Sequence, residues 1–166
     1  MDDVDLPPAL RSPWAKLVLR NRVQDILGID IERRWASDLL TFGMTSDAVV
    51  ELAILRDEEW KEAAALVDVI LRELSVDPTD KPQLVRLMRS QIVAAIENGA
   101  DPKSEAREAM LLASECHDLP GYDGVLDVFY EIDDEFDLME AGITFDPSFQ
   151  ELGAKHWTLK QLQQPK

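Results

Sequence analysis

The sequence predicts an all-α fold, a single-domain bundle of about seven helices with short loops, on three observations. Capping residues precede proline at Ser12-Pro13 and Asp101-Pro102, and glycines stand where apolar periodicity stops. Apolar residues recur at helical spacing, most regularly from Trp60 to Leu74. No alternating run of β-branched residues competes for strand pairing. The chain of 166 residues is 46% hydrophobic and 30% charged, enough to bury one core, so the expected domain spans residues 1–166.

The first helix starts at Pro13, carries Trp14, Leu17, Val18, Ile26 and Leu27 inward, and stops at Gly28. Asp30 caps a second helix holding Trp35, Leu39 and Leu40, which ends near Gly43. Thr45 or Ser46 opens a short third helix through Val49, Val50, Leu52 and Ala53. A fourth begins at Asp57 and is broken by Pro78. The fifth follows Thr79 or Asp80, buries Leu84, Leu87, Met88, Ile92 and Ile96, and ends at Gly99. A sixth runs from Pro102 until Leu119-Pro120-Gly121 closes it, and the seventh runs from Tyr122 to Ala141, stopped by Gly142. Asp146-Pro147 starts a short helical turn through Phe149 and Leu152. Residues 1–11 and 155–166 are expected as tails; the second docks by Trp157, Leu159 and Leu162 or frays.

Gly43, Ser46, Leu52-Ala53, Leu66, Leu71 and Glu73-Leu74 make a pattern of glycine, polar cap, short helix and longer helix. Residues 43–76 in this respect resemble small uncharacterised bacterial helical proteins. The resemblance implies an α-helical bacterial protein and brings no activity and no functional residue.

Charge is the strongest functional clue. The net charge is −16, and its distribution is uneven. From Glu108 to Ala154, 47 residues contain no Lys or Arg and 13 Asp or Glu, while the other 119 residues carry 20 acids against 17 bases. Such a chain repels nucleic acid and anionic membranes and attracts a basic protein. A solubilising role for the charge is the plainer alternative. The lone Cys116 rules out an intramolecular disulfide, the acidic start Met1-Asp2-Asp3 is unlike a secretory signal, and no apolar run approaches about 18 residues. The expected setting is the cytoplasm.

No catalytic residue, metal ligand or cofactor is predicted. His117 and His156 lie far apart and belong to no zinc pattern. A calcium loop beginning at Asp127 or Asp133 would place Ile132 or Leu138 where glycine is needed. Cys116, His117 and Asp118 suggest a nucleophile with its base, but helical neighbours point about 100° apart. Phosphate-binding glycine loops and nucleophile elbows are missing.

On a helix, Val125, Val128, Phe129, Ile132, Phe136, Met139 and Ile143 form a core stripe, opposite Asp123, Asp127, Glu131, Asp133, Asp134, Glu135, Asp137 and Glu140. Like charges at i,i+4 cost a few tenths of a kcal/mol per pair, so stability alone does not account for this face. Tyr130 and Leu138 fall within it, and Tyr122 extends it. The expected partner-binding set is Tyr122, Asp123, Asp127, Tyr130, Glu131, Asp134, Asp137 and Leu138. The function expected is a non-enzymatic inhibitor of immunity or antitoxin type, covering a basic toxin site such as that of a nuclease. The alternatives are a helical scaffold or homo-oligomerising domain, acting through Tyr130, Leu138 or the C-terminal tail, and, last, a cysteine enzyme. Arg11, Lys16, Arg20 and Arg22 of the first helix, or Arg86 and Arg89 of the fifth, could instead neutralise the acidic face.

Overall fold

A computed structural model describes residues 6–163. Among them are eight α-helices and no strand: α1 (Pro13–Val23), α2 (Asp30–Thr41), α3 (Asp47–Ile54), α4 (Trp60–Glu73), α5 (Lys81–Glu97), α6 (Pro102–Cys116), α7 (Val128–Glu140) and α8 (Pro147–Leu162), preceded by a 3₁₀ turn at Pro8–Leu10. None is long and apolar enough to cross a membrane. The chain divides into two compact units, Met1–Gln91 and Ile92–Lys166, with the boundary inside α5.

In the first unit, α2 packs on α1 and α3, and α3 packs on α4. Leu10, Leu19, Trp35, Leu39, Leu52, Ile70, Leu71, Leu84 and Met88 are fully enclosed. The expected N-terminal tail is docked over its described part. Leu6, Ala9 and Leu10 are buried, and the turn they lie on is pinned twice. Trp35 Nε1 donates to the Ala9 carbonyl at 3.1 Å, and Gln91 Nε2 donates to that of Leu10 at 2.7 Å. These bonds satisfy donors that burial would otherwise strand. Residues 1–5 and 164–166 of the expected tails lie outside the described residues.

Ser12 caps α1 by accepting from the Trp14 amide at 3.2 Å. The helix then stops at Val23, well before Gly28, because Asp25 takes the left-handed position (φ +56°) and the Ile26 amide bonds back to the Asn21 carbonyl. Ile26 and Leu27, expected inside, are consequently exposed. Ser75 (φ +62°) ends α4 in the same way. That helix begins at Trp60 instead of Asp57, since Arg56 and Glu59 close a turn in front of it. Gly43 and Gly99 end α2 and α5 as expected.

In the second unit, α6 contacts both α7 and α8, and α7 contacts α8. Asp101 caps α6, accepting from the Ser104 amide at 2.9 Å. Its buried face is mostly small (Ala106, Ala109, Ala113, Cys116), which lets α7 come close with Phe129, Ile132 and Phe136. The C-terminal residues expected as a tail, and the short turn expected before them, together form α8, bent at Gly153 (φ +73°). Aromatic packing holds it: Phe136, Phe149 and Trp157 meet edge to face, with centroids 5.4–5.8 Å apart.

Candidate interaction surface on the acidic helix

The acidic helix begins six residues later than its sequence suggests. Gly124 adopts φ +72° and turns the chain, so Tyr122–Asp127 is a loop folded against the helix start. The Tyr122 hydroxyl donates to Asp127 Oδ1 at 2.8 Å and accepts from the Leu126 amide at 3.3 Å. Burial first, and the Asp127 carboxylate second, push the Tyr122 hydroxyl well above the ordinary phenol range. Tyr122, expected to extend the acidic face, is half-buried and braces the loop.

At about 100° per residue, α7 presents three sides. Phe129, Ile132, Asp133 and Phe136 are buried. The second side faces α6, whose Lys103 and Arg107, one turn apart, reach across to it. Arg107 Nε lies 3.2 Å from Asp133 Oδ1 and its Nη2 2.9 Å from Asp137 Oδ2. Lys103 Nζ lies 3.0 Å from Asp137 Oδ1 and 2.6 Å from Glu140 Oε2. Lys103, then Arg107, hold the Asp137 carboxyl below the ordinary aspartate value. Glu140 and Asp137 in turn raise Lys103, and Asp133 with Asp137 raise Arg107. The acidic helix is thus neutralised in part by its predecessor in the chain.

Two sequence assignments change here. Asp133, placed with the solvent acids, has a side chain only 7% exposed and serves the α6 contact. Asp137, placed in the partner-binding set, is exposed and also pairs with the two cations.

The third side remains open. Asp123, Asp127, Glu131 and Asp134 are exposed, with Tyr130 among them at 38% exposure and Leu138 half-buried. Asp134 makes no ion pair among the described residues. Where this side meets α8, Glu131, Glu135, Asp146, Trp157 and Gln161 line an open cavity of about 240 Å³. Asp146 has a structural task there: it caps α8 through the Ser148 amide at 2.8 Å and accepts from Trp157 Nε1 at 2.7 Å. Those bonds, Ser148's foremost, lower its pKa.

The other candidate chemistries are not assembled. Cys116 is buried, whereas the adjacent His117 side chain is 80% exposed with Nδ1 3.2 Å from Asp118. The sulfur is enclosed while the imidazole faces solvent. No three His, Cys, Asp or Glu side chains among the described residues are grouped to hold a metal ion. Compared with family models, curated proteins and solved structures, the chain matches none.

The sequence reading overlooked Lys103 and Arg107, although their i,i+4 spacing marks them as one cationic side of α6. The stop at Gly142 was legible, but the core stripe was carried past it. Ile143, expected in the core stripe, is 70% exposed because Gly142 (φ +69°) ends the helix before it. Phe145 is exposed to the same degree.

Proposed function

We propose that the protein is an inhibitor of immunity or antitoxin type, which covers the basic active site of a toxin with the open side of α7. The carrying observation is that Asp127, Glu131 and Asp134 are exposed around Tyr130, inside 47 residues without Lys or Arg. A nuclease cleft must be positive to hold phosphates, and a row of carboxylates on a rigid helix imitates that array. Long-range attraction would speed encounter, while Tyr130 and Leu138 would exclude water within the contact. Asp123, Asp127, Glu131 and Asp134 supply the charge. Asp137, already held by Lys103 and Arg107, positions the helix instead.

The direct test reverses two exposed acids of that side. Glu131→Lys with Asp134→Lys should slow association with a co-purified basic partner by at least about tenfold at low salt, and much less at high salt. A reversal at the exposed Glu51 of α3 should change little. Equal association rates for wild type and the α7 double variant at low salt would sink the proposal.

A second reading, a scaffold or homo-oligomer, draws on the first unit, where Ile54 of α3 is 74% exposed and Phe42 is also exposed. It predicts an oligomer in sedimentation that salt does not dissociate and that Ile54→Ser does.

A further inference from the structure

The most exposed apolar side chains of the second unit lie in the turn between α7 and α8. Ile143 and Phe145 are each 70% exposed, more than Tyr130 at 38% or the half-buried Leu138. Singly exposed apolar residues are common in folded proteins. Here two lie within three residues, on a turn held at both ends. At its start, the Gly142 amide bonds to the Met139 carbonyl at 3.1 Å and the Ile143 amide to that of Leu138 at 2.9 Å. This closure folds the residue after the glycine back toward the last turn of the helix, beside Leu138. At its end, Asp146 is fixed by Ser148 and Trp157. A turn so fixed loses little conformational freedom when it binds.

Charge decides what can cover these residues. The turn lies between the acidic α7 and Glu151, so a second copy packed face to face here would bring one acidic surface against the same surface. A basic protein surface brings the opposite sign. Resting on the function proposed above, we infer that Ile143 and Phe145, with Leu138 beside them, are the apolar anchor of that interface. They seat in an apolar recess that the partner rims with Lys and Arg, while the open side of α7 supplies the steering charge. Tyr130 then belongs to the rim.

The test starts with the full chain in the cell that makes it, carrying photoreactive Phe145→p-benzoylphenylalanine, or the same replacement at Tyr130, or at Ile54 as a control. One basic protein should cross-link through positions 145 and 130 and not through 54. That protein, purified, becomes the probe. Its affinity is measured for wild type, for Ile143→Ser with Phe145→Ser, and for Glu131→Lys with Asp134→Lys, at low and high salt. Circular dichroism checks folding, which substitutions at such exposed sites should leave intact. The serine pair should weaken binding by about 30-fold or more at both salt concentrations, as loss of an apolar hot spot does. If the lysine pair weakens binding and the serine pair stays within about twofold of wild type, the anchor is wrong and the inhibitor reading stands. If only the serine pair weakens it, the anchor stands and the charge of α7 does not steer the partner, which overturns the inhibitor reading. A cross-link at 145 between two copies of this chain also overturns that occupant. No basic protein at 145 or 130, or no effect of either pair, overturns both proposals.

Discussion

Asp133 and Asp134 are adjacent in the chain and carry the same carboxylate on the same helix, yet they belong to different surfaces. Asp133 is nearly enclosed and pairs with Arg107, while Asp134 stands exposed with no ion pair among the described residues. The contrast extends along α7. Asp137 and Glu140 on the α6 side are met by Lys103 and Arg107; Asp127 and Glu131 on the other side lie open to solvent. A segment free of bases in sequence is therefore not free of them in space, because a neighbouring helix can deliver cations from some thirty residues away. Pairing with α6 lowers the charge that this side of α7 can offer a partner.

The largest expected effect comes from removing what both sides rest upon. Phe136 and Trp157 are buried and join α7 to α8 through the aromatic cluster, so Phe136→Ala or Trp157→Ala should each cost about 3–5 kcal/mol in urea unfolding. An unfolding free energy equal to wild type for both would mean that α8 does not dock as described.

The next test separates the two aspartates directly. Asp133→Ala should destabilise by about 1.5–3 kcal/mol, since it deletes a buried, charge-assisted hydrogen-bond acceptor. Asp134→Ala should stay within about 0.5 kcal/mol. Equal losses from the two variants would erase the distinction between the paired and open sides.

The glycines flanking α7 provide a smaller contrast. Both adopt positive φ, but a Cβ on Gly124 would sit 2.8 Å from Asp127 Oδ2, whereas one on Gly142 would meet nothing within 4 Å. Gly142→Ala should cost about 1 kcal/mol, from backbone strain alone. Gly124→Ala should cost about 2 kcal/mol, because Asp127 must also shift and release Tyr122. Thermal melts of the two variants check the order, and a reversed order would contradict the loop geometry.

Much of this fold was legible because local chemistry decides helix ends. Ser12, Asp101 and Asp146 cap the helices their sequence signals announce, and Gly43, Gly99 and Gly142 end theirs. Non-glycine residues in the left-handed region carry no such signal. Asp25 and Ser75 therefore ended α1 and α4 unannounced. Gly124, inside the helix expected from Tyr122, instead turns the chain so that the helix starts at Val128. The open side of α7 was legible from periodicity, as Asp127, Glu131 and Asp134 show. The pairing of Asp137 was not, because it depends on which helix lies alongside. Nor were Ile143 and Phe145, since a 3.6-residue pattern assumes a helix that Gly142 had already ended.

The smallest expected effect concerns pH, because solvent weakens exposed ion pairs. Lys103 and Arg107 hold the folded-state Asp137 below the ordinary value of 3.8. A depressed carboxylate contributes stability that is fully present above its unfolded pKa and is lost as pH falls through the folded one. Wild type should therefore lose stability as pH drops below about 4, and Asp137→Asn should lose less over the same interval. Asp134→Asn should follow wild type. Urea midpoints measured from neutral pH to about 2.5 compare the three proteins, and repeating them in about 0.5 M salt should shrink the difference through screening. If Asp137→Asn and Asp134→Asn give identical acid limbs at low salt, the α6 cations do not distinguish one side of the helix from the other. In that case both sides would present their charge equally to a basic partner.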